Sequence, residues 1–292
     1  MKKEDGFGRK LWRTVYPLLA YNGISYVVSI VATFIIIGVV SVQYGSIHTA
    51  DLYQSFLEQV LQVSASYVYE IQALAALISI PIMVLFLRMD KKRRTAEGTW
   101  KEYDKVSPVL FVLAIGLGLA SSYVANNLML ISGLQQSTEG YAELSESFFK
   151  GNLMSELLGL GVIIPIVEEL VFRGLMYERL KEFMDMKFAV ITAAVCFGLV
   201  HGNVVQAVFS IFLGFLLIYV YERYHSVLAP ILFHVASNVL AVFQSETGVF
   251  DVLYSGRGIF YGSTLVMCAV LVGVVVLIEK LVHSEERYCE EG

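Results

Sequence analysis

The sequence predicts an all-α, polytopic transmembrane helix bundle of about eight spans, with both termini in the cytoplasm. Three observations carry this prediction. Hydrophobic residues make up 57% of the 292 positions and charged residues only 16%, a balance too apolar for a soluble domain of this length. Apolar runs long enough to cross ~30 Å of hydrocarbon recur along the chain. These runs do not alternate polar and apolar residues, as the ~10-residue strands of a membrane β-barrel would.

The spans follow in order, each taken as ~20 residues or more. The first, 15–43, comes after the basic stretch "MKKEDGFGRKLWR". It is long and lacks a small-residue cleavage site, so it reads as a retained helix and not a signal peptide. The second, 67–88, is followed by "RMDKKRRTAEGTWKEYDK", and the stretch 89–107 reads as a solvated linker whose basic run sets topology. The third covers 108–132 and the fourth 152–178. The fifth, 187–202, is short, and the sixth, 204–222, begins almost at once, which suggests a tight hairpin. The seventh, 226–244, and the eighth, 258–282, complete the set. Arg179, Lys181, Lys187 and Arg223 fall on the same side as the basic stretches, whereas "SIHTADLYQSFLEQ" and "QQSTEGYAELSESFF" are acidic or neutral. The positive-inside rule therefore places both termini in the cytoplasm.

Composition also excludes several roles. A net charge of −5 without a basic aromatic surface argues against nucleic-acid binding. Cys196, Cys268 and Cys289 form no CxxC pair, so neither a metal cluster nor a disulfide framework is indicated. Cys289 stands four residues from the end, but two glutamates replace the aliphatic pair that prenylation of this tail would need.

Ionisable groups inside the spans gather in three places. Span four contains Glu168, Glu169 and Arg173, span five ends on Phe197 and His201, and span seven contains His234 and Asn238. Such groups normally face a bundle interior or a wet cavity, because lipid cannot solvate them. Glu169 and Arg173 are four apart and can neutralise each other, whereas Glu168 lies ~100° around the helix without a same-helix partner. At 1.5 Å per residue, Glu168 and His201 fall ~20 Å from the cytoplasmic surface and His234 and Asn238 ~12–18 Å, so three helices bring polar groups to similar depth. Pro165 and Pro230 precede Glu168 and His234 by three and four residues, where a missing N–H can free a carbonyl beside the site.

A carboxylate and an imidazole in a partly dry pocket can activate a water, and a second imidazole with an amide can stabilise an oxyanion. The same set could instead hold Zn²⁺ through Glu168, His201 and His234, although the HExxH signature is absent. A buried structural ion-pair network, or interhelical hydrogen bonding by His234 and Asn238, would use the same residues without chemistry.

These residues carry a resemblance. "EELVFR" (Glu168 to Arg173) resembles the EExxxR motif of the CPBP intramembrane protease family, "FGLVH" (Phe197 to His201) its FxxxH motif, and "HVASN" (His234 to Asn238) its HxxxN motif, in family order. That family includes the type II CAAX prenyl endopeptidases and the bacteriocin-immunity (Abi) proteins. The resemblance implies a CPBP-like catalytic core over 151–244, flanked by an N-terminal transmembrane region (1–150) and a final span with its tail (245–292). It implies that Glu168 and His201 activate the water, that Glu169 and Arg173 support the site, that His234 and Asn238 stabilise the oxyanion, and that Phe197 packs beside the pocket. The expected function is an intramembrane endopeptidase, metallo- or glutamic, cutting a membrane-associated or CAAX-like prenylated peptide or protein within the lipid bilayer. The length and short tails suggest a bacterial cell membrane. Two other classes use the same polar residues: a non-catalytic scaffold or immunity protein, and a proton- or ion-coupled transporter. The latter is disfavoured because no inverted halves with matching broken helices are visible.

Overall fold

The computed structural model describes residues 6–45, 49–101, 106–138 and 152–291, with side chains to 283. Lys2 and Lys3 of the basic N-terminal stretch, much of the loop 135–149 and the side chain of Cys289 lie outside the described residues. Among the described residues nine helices are organised in order: α1 (Phe7–Tyr44), α2 (Ala50–Ser66), α3 (Val68–Glu97), α4 (Pro108–Ser132), α5 (residues 153–180), α6 (Met186–Leu199), α7 (Val204–Tyr224), α8 (Leu228–Glu246) and α9 (Arg257–Glu291). Single helical turns at Leu134–Ser137 and Asp251–Tyr254 complete the described elements. The protein is an integral, multi-pass membrane helix bundle. Among the described residues six helices, α1, α3, α4, α7, α8 and α9, are long and apolar enough to cross a membrane.

The other two expected spans are present as helices of a different kind. The α6 helix has 14 residues, ~21 Å, and is too short to cross alone. It forms a hairpin with α7, and backbone in such a turn must find partners within the protein wherever water cannot reach it. Here Asn203 caps α7 by accepting from the Gln206 N–H at 2.8 Å, while the His201 N–H donates to Gly198 O at 3.1 Å. Asn203 is thus the cap of α7.

The α5 helix mixes two winding modes. Leu157–Ile163 and Leu170–Tyr177 are π-helical, and between them Ile164–Glu169 is α-helical. Such π segments are rare and concentrate at functional sites. The core lies around this helix: Val167, Val171, Phe172, Leu175 and Tyr177 are buried against α3, α6 and α7.

Three sequence expectations are corrected. The stretch 89–107 is not wholly a solvated linker, because α3 continues to Glu97 and docks by charge on the end of α5. Arg94 donates to Glu178, and Arg93 pairs with both Glu97 and Glu182. Arg179 is buried and bonds Asp90 at 2.6 Å, Tyr16 Oη at 3.0 Å and the Arg13 carbonyl. Charges invisible as partners in sequence therefore lock α1, α3 and α5 together. Next, the loop after the first span contains α2, capped by Thr49 and seated on α1 through Phe56 and Val60, four residues apart. Finally, Asn127 is fully buried, bonding Thr264 at 2.8 Å and Tyr254 at 3.1 Å, and so ties α4 to α9.

The closest helix packing sets the position of α8. A Cβ added at Gly118 would lie 2.3 Å from the Phe233 carbonyl, so α4 and α8 meet backbone to backbone there. Ser122 Oγ donates to Ser237 O at 3.0 Å one turn further on. Gly118→Ala must push α8 away, and Phe233 adjoins His234. Overpacking of this kind costs ~1–3 kcal/mol. The expected result is a lowered thermal unfolding midpoint in detergent together with reduced activity.

Candidate active site

Three helices bring the predicted residues together: α5 supplies Glu168, Glu169 and Arg173, the end of α6 supplies Phe197 with His201 just beyond it, and α8 supplies His234 and Asn238. The α7 helix contributes backbone only. Gly214 allows its close approach, since an added Cβ would lie 3.2 Å from Ala194 Cα, and Gly214 O accepts from Arg173 at 3.3 Å.

The two adjacent glutamates have different fates. Glu169 is fully buried, and its Oε1 accepts from Arg173 at 2.8 Å and from His234 Nδ1 at 2.7 Å. Arg173 also lies over the Phe197 ring, its guanidinium carbon 4.2 Å from the centroid. A buried carboxylate with two charged or polar donors on one oxygen has no capacity to move toward a substrate. Glu168 makes no hydrogen bond among the described residues, and its side chain keeps 17% of its exposure. His234 Nε2 stands 3.7 Å from Glu168 Oε2, beyond direct hydrogen-bond length. Winding explains the difference, since consecutive residues on a helix point ~100° apart.

Both imidazoles have one nitrogen already assigned. A carboxylate accepts only, so His234 Nδ1 carries a proton and its Nε2 faces Glu168. His201 Nδ1 lies 2.7 Å from Phe197 O, which likewise makes Nδ1 the donor and leaves Nε2 open. Phe197 stands between them, edge-on to both rings at 5.0 Å (His201) and 5.7 Å (His234), and packs on Phe172 at 5.1 Å. It fixes the spacing of the two histidines.

Asn238 has a local task that the sequence only partly signalled. Its Nδ2 donates to Leu160 O at 3.0 Å. In this π-helical stretch the Ile164 N–H reaches Gly159 O, so the next bond in register would run from residue 165 to Leu160 O. Residue 165 is proline and has no N–H. The amide of Asn238 fills that place, which ties α8 to α5 just before Glu168. The second proline frees nothing, because Pro230 lies in the first turn of α8, where N–H groups have no helical partner anyway. Asn238→Ala is expected to cost ~1–2 kcal/mol by orphaning the Leu160 carbonyl. In a Pro165→Ala background, where a backbone N–H is restored, the same substitution should cost clearly less. Unfolding of the four proteins of this cycle in detergent measures the coupling, and equal costs in both backgrounds would refute the link.

One contributor carried no signal in the sequence. Tyr21, from α1, packs on the core around α5. A lone tyrosine in an apolar span has no pattern to mark it.

The fit to Zn²⁺ can be tested on the arrangement. Glu168, His201 and His234 would be the ligands, yet among the described residues no three His, Cys, Asp or Glu side chains are grouped so as to hold a metal ion. His234 Nδ1 is committed to Glu169, and the Phe197 ring separates the two imidazoles. As arranged, these side chains do not form a three-ligand shell, and no step below is routed through a metal.

Residues 150–240 match the family model of the type II CAAX prenyl endopeptidase Rce1-like proteins, a segment that contains all three motifs. A Bacillus subtilis (strain 168) protein named "Putative membrane peptidase YdiL" is 23% identical over 214 residues, covering 72% of this chain and 86% of the relative. No solved structure matches the chain. With EExxxR, FxxxH and HxxxN in order on three packed helices, residues 150–240 are similar to the Rce1-like type II CAAX prenyl endopeptidases of the CPBP intramembrane protease family.

Proposed function

We propose that the chain is an intramembrane endopeptidase that hydrolyses a peptide bond of a membrane-associated substrate through a water activated by Glu168. The observation that carries this reading is the division between the two glutamates. Glu169 is committed through Oε1 to Arg173 and His234, while Glu168 makes no hydrogen bond among the described residues, is partly open and is faced by an imidazole nitrogen. In the reaction Glu168 takes a proton from water as the water oxygen attacks the carbonyl carbon. The resulting oxyanion is stabilised by donors on α8, the second N–H of Asn238 and, in its doubly protonated form, His234 through Nε2. The tetrahedral species collapses as the C–N bond breaks, and the proton held by Glu168 passes to the leaving amine. His201, with Nε2 free, assists in orienting the water. Glu169 and Arg173 hold the His234 ring in place through Nδ1 and do not exchange protons with substrate. The name of the matching family suggests a prenylated, CAAX-like chain as the substrate class.

The test is cleavage of a mixed pool of prenylated and unprenylated membrane-associated peptides by the purified, reconstituted protein, with and without chelator. Cleavage that persists in chelator supports the glutamate-activated water. Cleavage abolished by chelator and restored by Zn²⁺ would replace it with a metal-activated one. A preference for prenylated members of the pool would support the CAAX-like substrate class.

A further inference from the structure

We propose that the end of the bundle marked as cytoplasmic by its basic residues contains a binding site for a phosphate ester, separate from the candidate active site and independent of the reading above. A cavity of about 810 Å³ opens there between the last turns of α3, Thr99 to Lys101 with Val106, and the ends of α5 and α7. This volume suits a headgroup-sized ligand.

Charge accounting makes the cavity an anion site. Three carboxylates line it, Asp90, Glu178 and Glu222. Each is already consumed: Asp90 by Arg179 at 2.6 Å, Glu178 by Arg94 at 2.5 Å and Lys181 at 2.6 Å, and Glu222 by Lys181 at 2.6 Å. Arg88, Lys91 and Lys101 also line the cavity, and among the described residues none of them has a carboxylate within 4.0 Å. The Lys91 ammonium is held over the Trp100 ring at 5.0 Å, which keeps cation and aromatic together on one wall. Three cations without a carboxylate partner among the described residues, gathered around one concavity, repel each other and attract a multiply charged or diffuse anion. Phosphate is the anion that this end of a membrane protein meets, as a lipid headgroup in the facing leaflet or as a free ester in solution. The aromatic wall at Trp100 is the side chain type that settles at the headgroup level.

The purified full-length protein in neutral-detergent micelles is titrated with phosphatidylglycerol, with phosphatidylcholine as the uncharged reference. Inorganic phosphate at constant ionic strength forms a separate arm, and the thermal unfolding midpoint reports binding in each. Phosphatidylglycerol is expected to raise the midpoint and phosphatidylcholine is not. Arg88→Gln/Lys91→Gln/Lys101→Gln should weaken the apparent affinity by on the order of a hundredfold, about fivefold for each cation removed. Lys92→Gln, an exposed neighbour outside the cavity, serves as the control and should respond like wild type. A response to lipid alone assigns a lipid headgroup, and an equal response to inorganic phosphate assigns a free phosphate ester. Should the triple variant fold poorly, Lys101→Gln alone should show the fivefold loss. No midpoint shift in either arm, or an unchanged shift in the folded triple variant, overturns the proposal.

Discussion

Glu168→Gln is expected to leave a folded, membrane-inserted protein whose peptide cleavage falls by about 10²–10⁴-fold, the usual contribution of a positioned general base. The reason for expecting the fold to survive is geometric. Glu168 makes no hydrogen bond among the described residues, and its carboxylate is the partly exposed one of the pair. An amide of the same shape therefore breaks nothing, and it removes a charge from a region where charge is costly. The unfolding midpoint should stay within the range of ordinary surface substitutions, ~0.5 kcal/mol. The amide cannot accept a proton from water, so the chemical step alone is lost. The corresponding Glu169→Gln substitution should behave in the opposite manner, with a lowered midpoint and activity reduced through the loss of His234 orientation. Cleavage by both variants, measured beside their thermal unfolding in detergent, separates the two roles. Full activity in folded Glu168→Gln would end the catalytic assignment and leave a structural reading of the motif.

That contrast was legible in the sequence because it depends on local spacing. Four residues place Arg173 beside Glu169, one residue turns Glu168 away, and nothing distant is needed to see it. The helices and their order were legible for a similar reason, since each span reports its own length and hydropathy. What escaped depends on partners far along the chain. Arg93 and Arg94 read as a topogenic basic run because Glu178 and Glu182 follow more than 80 residues later. Asn127 has no partner visible in the sequence because Thr264 lies on the last helix. The α2 helix was read as loop because it is too polar to span, although Phe56 and Val60 four residues apart seat it on α1. The π-helical stretches of α5 have no residue signature at all. Pro165 hinted at a freed carbonyl, but only the packing of α8 shows that Asn238 meets it.

Arg173→Met is expected to cost ~3–5 kcal/mol, enough to unfold much of the protein at moderate temperature, because it strands a buried charge. Arg173 is 1% exposed and holds three things together at once. It neutralises Glu169, satisfies Gly214 O on α7 and covers the face of Phe197. Methionine retains much of the volume and some contact with the ring, so the loss is mainly electrostatic. Glu169 is left fully buried with His234 as its remaining donor, and its Oε2 already has no partner. If that uncompensated carboxylate is the cause, neutralising it should recover stability. Glu169→Gln/Arg173→Met is therefore expected to be more stable than Arg173→Met alone, regaining half or more of the loss, even though it removes a second native group. Thermal unfolding of the wild type, the two single variants and the double variant closes the cycle. A double variant no better than Arg173→Met would show that the arginine acts through packing on Phe197 and α7. In that event the pair would serve mainly to shape the wall behind His234, and the charge on Glu169 would no longer be needed to fix its tautomer.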